Sequence, residues 1–564
     1  MTRLIRGAVL IALVSTLIAT GAAWPHAQGR EWTTAAFDAQ RTGWVRSDAR
    51  LTKEAVQKGE FEFLWKAKFE NENRQLNSLT PPIILDRLIG YRGFKALGFI
   101  GGSADRVFAI DTDLARPYWT THLNYSAATG GQPVSSLECP GGLTAVPTRR
   151  TVLAPQPPAT GGGGARGARS GSAVGEPGRG AAVLSQQPAA RGRRGAPGGP
   201  PPGAAGGGRA VAPIPFGGVD PVYAVGSDGF LHTLSSANGA DMDTPAPFIP
   251  PNAKPSALVF IDGVVYTTTS GGCGAVPNAV WSIDFTAENK IASWKTGGPD
   301  VVGDTGVAFG SDGTLYVALG KAPSDAREST YANAVVALDR ATLQPKDWFS
   351  AGAVEFNAAP VVFRYKERDL VAIAGSDGRL YVLDGAKLGG ADHKTPLHIS
   401  PKYGNGAADA GLATWESQGT RWILAPVAGA VPASAKFAVN GVAPAGSIVA
   451  FKVEGDADKI TISPGWASRN LTAPLAPIVV NGVVFAVSSG EYGGTGTTLT
   501  AAQRAQRSSP AVLYALDGAT GAQLWSSRTT ITSFARGGLS AAAGQVYLVT
   551  YDNHLYAFGI PMEH

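Results

Sequence analysis

Cysteine, methionine and histidine are scarce in this chain of 564 residues, which has two, three and seven of them respectively. Two cysteines are too few for a disulfide-rich scaffold. The sequence has no Cys-x-x-Cys-His motif, which excludes covalently attached haem within the chain. It also has no serine-centred nucleophile elbow, no His-Glu zinc helix and no phosphate loop. No short motif therefore assigns a reaction.

Long apolar runs are absent too, apart from one short run near the start. Ala8–Ala19 follows Arg3 and Arg6 and leads into small residues, with a possible cleavage site after Ala23 or Ala27. The run is short for a membrane span, and no cysteine near the cleavage region could carry a lipid. We expect residues 1–27 to be a signal peptide and the mature chain to be periplasmic or secreted, without a membrane anchor.

Glycine is abundant, with 73 residues, and it marks the turns of a repeated unit. The clearest copy is Val512–Trp525, in which two alternating apolar runs flank an Asp-Gly-Ala-Thr-Gly turn and predict an antiparallel hairpin. Degenerate copies lead from a strand to a tryptophan: Arg106–Asp111 to Trp119, Ala279–Asp284 to Trp294, and Val335–Asp339 to Trp348. A hairpin with a Ser-Asp-Gly turn precedes several copies. Each unit thus has four strands, the size of a propeller blade.

These units predict an all-β, eight-bladed β-propeller of four-stranded antiparallel blades, in a single domain. Blades one to seven are predicted to begin near Thr80, Gly141, Ser256, Thr305, Ala358, Gly411 and Ala473. The eighth unit, Gly538–Phe558, has no tryptophan strand, whereas Phe61–Trp65 is such a strand without a blade in front of it. We therefore predict that this N-terminal strand closes blade eight by pairing with His554–Phe558. We interpret the repeated tryptophans as packing between blades.

The repeat resembles that of a known family. Leu513-Tyr-Ala-Leu-Asp517, with Thr520-Gly521 and Trp525, is similar to the pyrroloquinoline-quinone (PQQ) propeller repeat. That repeat occurs in the quinoprotein alcohol dehydrogenases and in the propeller lipoprotein of the outer-membrane β-barrel assembly machine. The resemblance covers roughly Glu60 to Pro561 and implies the architecture, because the family's motif residues build the blades and do not touch the quinone.

A segment of low complexity interrupts blade two. Residues 151–212 are rich in Gly, Ala, Pro and Arg and cannot bury enough apolar area to fold, so we predict a disordered insertion. The segment lacks the aromatic residues that would stack on bases, and nucleic acid is not an expected partner. It holds seven arginines against Glu176, and the signal segment holds two more. Without both segments the net charge of +5 becomes −3.

The two cysteines are far apart in sequence, but the propeller brings them to one face. Cys139 precedes the innermost strand of blade two, and Cys273 follows the second strand of blade three. In a propeller the entry to an innermost strand and the turn between the second and third strands lie on the same face. We therefore predict a disulfide between Cys139 and Cys273, across neighbouring blades.

The same face is predicted to carry the functional site. Polar residues stand at the entries to the innermost strands and form a ring around one mouth of the axis, among them Glu138, Asp304, Asn357, Asp409 and Arg536. Four long loops, at residues 270–278, 320–333, 427–445 and 488–510, project from this face. Elaborated loops on a rigid scaffold are where function concentrates, so we predict that this is the working face.

Two functions from different classes use this mouth. The first is a noncatalytic binding or scaffold module of the cell envelope, a monomer that takes a protein, peptide or glycan on the long-loop face. The second is a PQQ- and Ca²⁺-dependent alcohol or sugar dehydrogenase. In it, Asp304 would be the catalytic base, Glu138 and Asn357 would bind Ca²⁺, and Arg536, Asn357, Glu138 and Asp409 would bind the cofactor. The resemblance implies a disulfide between adjacent cysteines beside the quinone, and this chain has no such pair. We therefore favour the binding module.

Overall fold

The computed structural model describes residues 31–90, 93–123, 135–153, 220–322, 331–406, 409–456, 459–493 and 499–561. The predicted signal peptide and residues 154–212 of the predicted insertion lie outside this part of the chain. The structure confirms the predicted fold, an eight-bladed β-propeller whose blades are small antiparallel sheets with few helices. In the described part of the chain, no helix is both long and apolar enough to cross a membrane.

The strands follow one another around the ring in chain order. Before blade one lie β1 (Trp44–Val45), helix α1 (Lys53–Gln57) and β2 (Glu62–Lys68). Blade one has β3 (Ile83–Gly90), β4 (Gly93–Gly102), β5 (Arg106–Asp111) and β6 (Arg116–His122). Blade two has β7 (Val222–Val225), β8 (Phe230–Leu234) and β9 (Ala246–Pro247). Blade three has β10 (Val259–Ile261), β11 (Val264–Thr269), β12 (Ala279–Asp284) and β13 (Lys290–Lys295). Blade four has β14 (Ala308–Phe309), β15 (Leu315–Leu319), β16 (Ala334–Leu338) and β17 (Pro345–Ser350).

The second half of the ring has two larger blades. Blade five has β18 (Val361–Tyr365), β19 (Arg368–Gly375), β20 (Arg379–Asp384) and β21 (His398–Ile399). Blade six has β22 (Ala413–Ser417), β23 (Thr420–Ala428), β24 (Ala438–Val439), β25 (Gly446–Asp456) and β26 (Lys459–Ala467). Blade seven has β27 (Ile478–Val480), β28 (Val483–Ser488), helix α2 (Ala501–Arg507), β29 (Val512–Asp517) and β30 (Gln523–Ser526). Blade eight has β31 (Leu539–Ala542), β32 (Gln545–Val549) and β33 (His554–Gly559). Three 3-10 turns lie at Cys273–Ala275, Phe285–Ala287 and Ala433–Ala435.

The repeated turn works as the sequence suggests. The side chain of Asp517 accepts the N–H groups of Ala519 and Thr520, and Gly521 adopts a φ of +73° that favours glycine. A Cβ at Gly521 would collide with the ring of Trp466 from blade six, whose Nε1 donates to the carbonyl of Gly518 at 2.9 Å. Trp65 and Trp119 make the same kind of bond to the next blade, to the carbonyls of Thr112 and Ser236, so these tryptophans pack between blades.

The N-terminal strand closes the ring. Strand β2 pairs antiparallel with β33 over Glu62–Gly559 to Lys68–His554 and forms the outermost strand of blade eight. Phe61, just before β2, is buried against Trp525 with ring centroids 4.8 Å apart. The predicted closure is confirmed, and it joins β2, which precedes blade one, to β33, the last described strand, in one sheet.

Three blades depart from the four-stranded pattern. Blade two has three described strands, because the segment predicted as its innermost strand, from Gly141 to Val146, forms no strand, and only an isolated bridge between Thr148 and Tyr223 follows it. The segment starts with Gly141 and Gly142 after Pro140, and both glycines have φ near +70°, which is outside the range of a regular strand. Blade six gains β24 from its long loop, and blade seven gains β1 on its inner edge.

Residues 32–51, here called the axial segment, follow a path that the sequence analysis did not predict. This segment lies inside the ring and hydrogen-bonds to the innermost part of every blade in order. Its partners are Ile84 in blade one, Arg149 in two, Leu258 in three, Val307 and Phe309 in four, Val362 in five, Thr414 in six, Val479 in seven and Gly544 in eight. Strand β1 is the part that runs parallel to β27.

Two buried charged residues fix the middle of the axial segment. Arg41 is 2% exposed and donates from Nη1 to Thr34 and to the carbonyl of Ala35, and from Nε to the carbonyl of Val307. Burial lowers the pKa of this guanidinium to about 10. Asp38 accepts from the N–H and hydroxyl of Thr42, and burial raises the pKa of its carboxyl despite these bonds. Charges enclosed in this way require hydrogen bonds, and both residues make them, although Nη2 of Arg41 has no partner among the described residues.

Candidate functional site

The innermost strands begin around one mouth of the axis, and a cavity of about 210 Å³ opens there. Its lining comes from every blade except the fifth, together with the axial segment. The lining residues are Ala35, Ala36, Gly43, Leu76, Asn77, Ser78, Leu79, Thr80, Pro81, Leu137, Pro140, Thr144, Val146, Lys254, Pro255, Asp304, Thr305, Leu412, Ala476, Pro477, Ile478, Arg536, Gly537, Gly538 and Leu539.

The floor of the cavity belongs to the axial segment. Ala35, Ala36 and Gly43 line it, so the axis of the propeller is blocked below the mouth. Gly43 has a φ of +62°, and a Cβ there would press on the carbonyl of Pro477 at 3.2 Å. Small residues at the floor leave room that larger side chains would fill.

Three charged residues line this otherwise mostly apolar pocket. Lys254 comes from blade three, Asp304 from blade four and Arg536 from blade eight. No described residue forms an ion pair with Lys254 or Asp304. The Nε atom of Arg536 lies 3.7 Å from Glu491 Oε2, beyond hydrogen-bonding distance. The lining therefore offers two cations and one anion to a ligand.

A second ion pair sets the position of Glu491. Arg504, in helix α2, donates from Nη2 to Glu491 Oε1 at 2.6 Å and from Nε to the carbonyl of Tyr492 at 3.2 Å. The side chain of Glu491 is only 13% exposed, so this charge-assisted bond is shielded from water. Glu491 therefore lies closer to Arg504, at 2.6 Å, than to Arg536, at 3.7 Å.

Only two of the five predicted polar residues line the cavity. Asp304 and Arg536 line the cavity, as a mouth at the inner-strand entries requires. Asn357 and Asp409 are exposed, and they bond to each other through Asn357 Nδ2 and Asp409 Oδ1 at 3.0 Å. Glu138 is also exposed, and neither it nor the Asn357–Asp409 pair is among the residues lining the cavity.

A disulfide joins Cys139 of blade two to Cys273 of blade three, with Cα atoms 5.4 Å apart. Cys273 is buried. The neighbours of Cys139 in sequence, Leu137 and Pro140, line the cavity. The bridge therefore holds one wall of the pocket in place, and it does so where blade two lacks a regular inner strand.

The residues around the pocket do not fit a Ca²⁺–PQQ centre. Glu138 and Asn357, the predicted Ca²⁺ ligands, lie on blades two and five and do not line the cavity. Asp304 is the one carboxylate in the lining formed by described residues, whereas Ca²⁺ takes six to eight oxygen ligands. Among described residues, no group of three or more His, Cys, Asp or Glu side chains could hold a metal ion. The cavity also falls below the ~300–1,000 Å³ of common ligand pockets.

Sequence reasoning missed the floor and part of the wall. Ala35, Ala36 and Gly43 carry no motif, and the alternation that marks the blades is absent around them. Leu76 is another omission: it is 1% exposed and packs with Ala501 of helix α2 and with Phe534. Glu491 and Arg504 stood inside a predicted functional loop, but nothing in the sequence paired them. Only the tertiary structure brings these residues together.

Comparison with known proteins establishes the class of fold. No family model matches the chain, and no curated protein matches it. Solved structures do match. The quinohemoprotein alcohol dehydrogenase of Comamonas testosteroni aligns with a TM-score of 0.52 at 14% identity, over 95% of this chain and 81% of that one. The quinohemoprotein alcohol dehydrogenase ADHIIG of Pseudomonas putida HK5 aligns with a TM-score of 0.50 at 13% identity, over 95% and 82%.

A europium-containing methanol dehydrogenase is similar as well, with a TM-score of 0.53 at 11% identity over 94% of this chain and 98% of that one. The fold is thus that of the PQQ-like β-propellers, which confirms the resemblance read from Leu513–Asp517 and Trp525. At such low identities the likeness concerns architecture alone. What this chain binds must be argued from its own pocket.

Proposed function

We propose that this protein is an exported, noncatalytic binding module of the cell envelope, and that its ligand enters the mouth of the propeller. The observation that carries the proposal is the cavity at this mouth. Its walls are mostly apolar, and three charged side chains, Lys254, Asp304 and Arg536, meet at it. Such a combination holds the apolar part of a ligand and orients its polar end.

The long loops give the pocket a rim on which a larger partner can rest. The loops of residues 270–278 and 488–510 contribute Cys273, whose disulfide holds the cavity wall, and Glu491, which lies beside Arg536. An envelope protein, peptide or glycan that inserts one group into the pocket would contact these loops at the same time. The propeller then acts as a rigid scaffold that binds its partner at the mouth.

A second candidate is the quinoprotein dehydrogenase, which the likeness to two quinohemoprotein alcohol dehydrogenases favours. The two functions predict different results when the mature chain is incubated with PQQ and Ca²⁺ and then desalted. The binding module retains no quinone absorbance and oxidises no alcohol with an artificial electron acceptor. Retained quinone, together with oxidation lost in Asp304→Asn, would establish the dehydrogenase and overturn the proposal.

Localisation is tested separately. In a two-membrane host, the full chain is expected in the periplasmic fraction or the medium, shortened after Ala23 or Ala27 as read by N-terminal sequencing. A variant with Arg3→Glu and Arg6→Glu should remain in the cytoplasm, because a positive n-region directs export. Uncleaved protein in the cytoplasm from the unaltered chain would contradict the export part of the proposal.

A further inference from the structure

Arg536 stands out among the charged residues of the pocket because its fork of donors faces no close acceptor. Its one acidic neighbour among described residues, Glu491, lies 3.7 Å from Nε and bonds to Arg504 at 2.6 Å instead. A guanidinium presents paired N–H donors that match a carboxylate in two parallel bonds. With its side chain 45% exposed, Arg536 is reachable from the mouth.

The rest of the pocket is suited to an apolar group of about one side chain in size. Leu79, Val146, Leu412, Ile478 and Leu539 line it. The volume of about 210 Å³ exceeds the ~150 Å³ of an apolar cavity that accepts benzene, and it is smaller than a drug-sized pocket. The charged lining has two cations and one anion, so its excess charge is positive.

We propose that the pocket binds a carboxylate carried on a compact apolar group, with Arg536 as the carboxylate-binding residue. This inference rests on the proposed binding function and specifies its ligand. The chemistry is shared by a free aliphatic or aryl acid and by the C-terminal residue of a polypeptide. In both, the apolar group lies among the leucines above the floor formed by Ala35 and Ala36.

Arg504 is the positioning residue of this site. By bonding Glu491 it keeps that carboxylate from closing on Arg536, where Glu491 would compete with the ligand. Removal of the Arg504 guanidinium leaves Glu491 beside one cation instead of two, and the remaining cation is Arg536. The carboxylate preference of the pocket therefore depends on a residue of helix α2 that does not line it.

The test is calorimetric titration of the mature protein with 3-phenylpropanoate and with 3-phenylpropanamide, its neutral analogue of the same shape. The acid is expected to bind at least about tenfold more tightly than the amide, since bonds to charged groups are the stronger ones. Arg536→Gln should abolish that difference, whereas Arg116→Gln, an exposed arginine of β6, should keep it. Equal binding of acid and amide, or binding of neither, would overturn the inference.

The role of Arg504 has its own test. Arg504→Gln should weaken binding of the acid about tenfold without changing that of the amide, and the double variant Arg504→Gln, Glu491→Gln should restore it. Arg507→Gln, an exposed arginine three residues along the same helix, is the matched control. Loss of both ligands, or no rescue by the second substitution, would show that Arg504 only stabilises the loop.

Titration with a hexapeptide that ends in leucine, and with the C-terminal amide of the same peptide, shows which of the two sources supplies the carboxylate. Tighter binding of the peptide acid than of 3-phenylpropanoate identifies a polypeptide terminus as the ligand, and the reverse order identifies a free acid. These results are independent of the quinone test. If the pocket does not prefer carboxylates, this inference fails but the proposed binding function still stands. If the protein retains PQQ, the proposed binding function itself fails.

Discussion

Arg41 Nε donates a 2.8 Å hydrogen bond to the carbonyl oxygen of Val307, which is 266 residues further along the chain. The bond ties the axial segment to the residue just before β14, the innermost strand of blade four, and both partners are buried. Nη1 of the same guanidinium holds Thr34 and Ala35, next to the floor of the cavity. One side chain thus links the start of the chain, a blade and the site.

Replacement of Arg41 by methionine is expected to destabilise the protein by about 3–5 kcal/mol, because it leaves buried acceptors unpaired and removes a positive charge near Asp38. Burial already raises the pKa of Asp38, and the loss of Arg41 raises it further. The variant should then regain stability as the pH falls toward 4 and Asp38 takes up a proton. Urea denaturation at pH 7 and pH 5 measures both effects.

Arg46→Met is the matched control for the loss of stability at pH 7, and it should share the pH effect, because Arg46 also lowers the pKa of Asp38. The Arg46 side chain is 50% exposed and lies 3.8 Å from Asp38, so its removal should cost less than about 1 kcal/mol. If the two variants lost the same stability, the buried bonds of Arg41 would not be the cause.

Truncation separates the axial segment from the closing strand. A chain that begins at Glu60 keeps β2 but lacks the axial segment, and it should melt at a clearly lower temperature and lose ligand binding at the pocket. A chain that begins at Glu70 lacks both and is not expected to fold as a closed ring. Thermal unfolding followed by circular dichroism distinguishes them. Equal melting temperatures for the full mature chain and the Glu60 chain would contradict a structural role for the axial segment.

The disulfide should be detectable in solution and should contribute to stability. Protein unfolded in guanidinium without reductant is expected to show no free thiol, whereas two thiols per chain would rule the bridge out. The double variant Cys139→Ser, Cys273→Ser should lose about 2–4 kcal/mol, since the bridge closes a loop of 134 residues. It should also weaken ligand binding, because the wall at Leu137 and Pro140 loses its anchor.

Removal of residues 156–217, with a short Gly-Ser linker in their place, should leave the melting temperature nearly unchanged, because loop closure depends weakly on length. A deletion from Thr151 to Ala212 should be less well tolerated. Thr151 is buried, donates its N–H to Phe260 at 2.8 Å and contacts the Thr33 hydroxyl at 2.9 Å. The same melting temperature for both deletions would show that these bonds contribute nothing.

Local signals in the sequence were sufficient for the ring. The turn at Asp517–Gly521 is set by bonds within five residues, so it is visible in a linear pattern. Phe61–Trp65 could be placed as the closing strand because it completes a unit that is otherwise short of one strand. These features depend on residues that are close in sequence and on the number of strands in each repeat, and both can be read from a sequence.

Only part of the pocket could be predicted from the sequence, because its lining depends on residues that are far apart along the chain. Asp304 and Arg536 follow from the geometry of inner-strand entries, but Glu138, Asn357 and Asp409 obey the same rule and do not line the cavity. Their side-chain directions depend on loop conformations with no periodic signal. The axial segment was missed because its hydrogen-bond partners are spread over eight blades, and no stretch of 32–51 alternates like a strand.

The axial segment also constrains how this protein can evolve. Repeat proteins change size readily by gaining or losing a unit, since each unit contacts only its neighbours. Here one continuous stretch of chain meets all eight blades in succession, from Ile84 to Gly544, so its length is matched to a ring of eight. A seven- or nine-bladed descendant would need a new inner segment as well as a new blade.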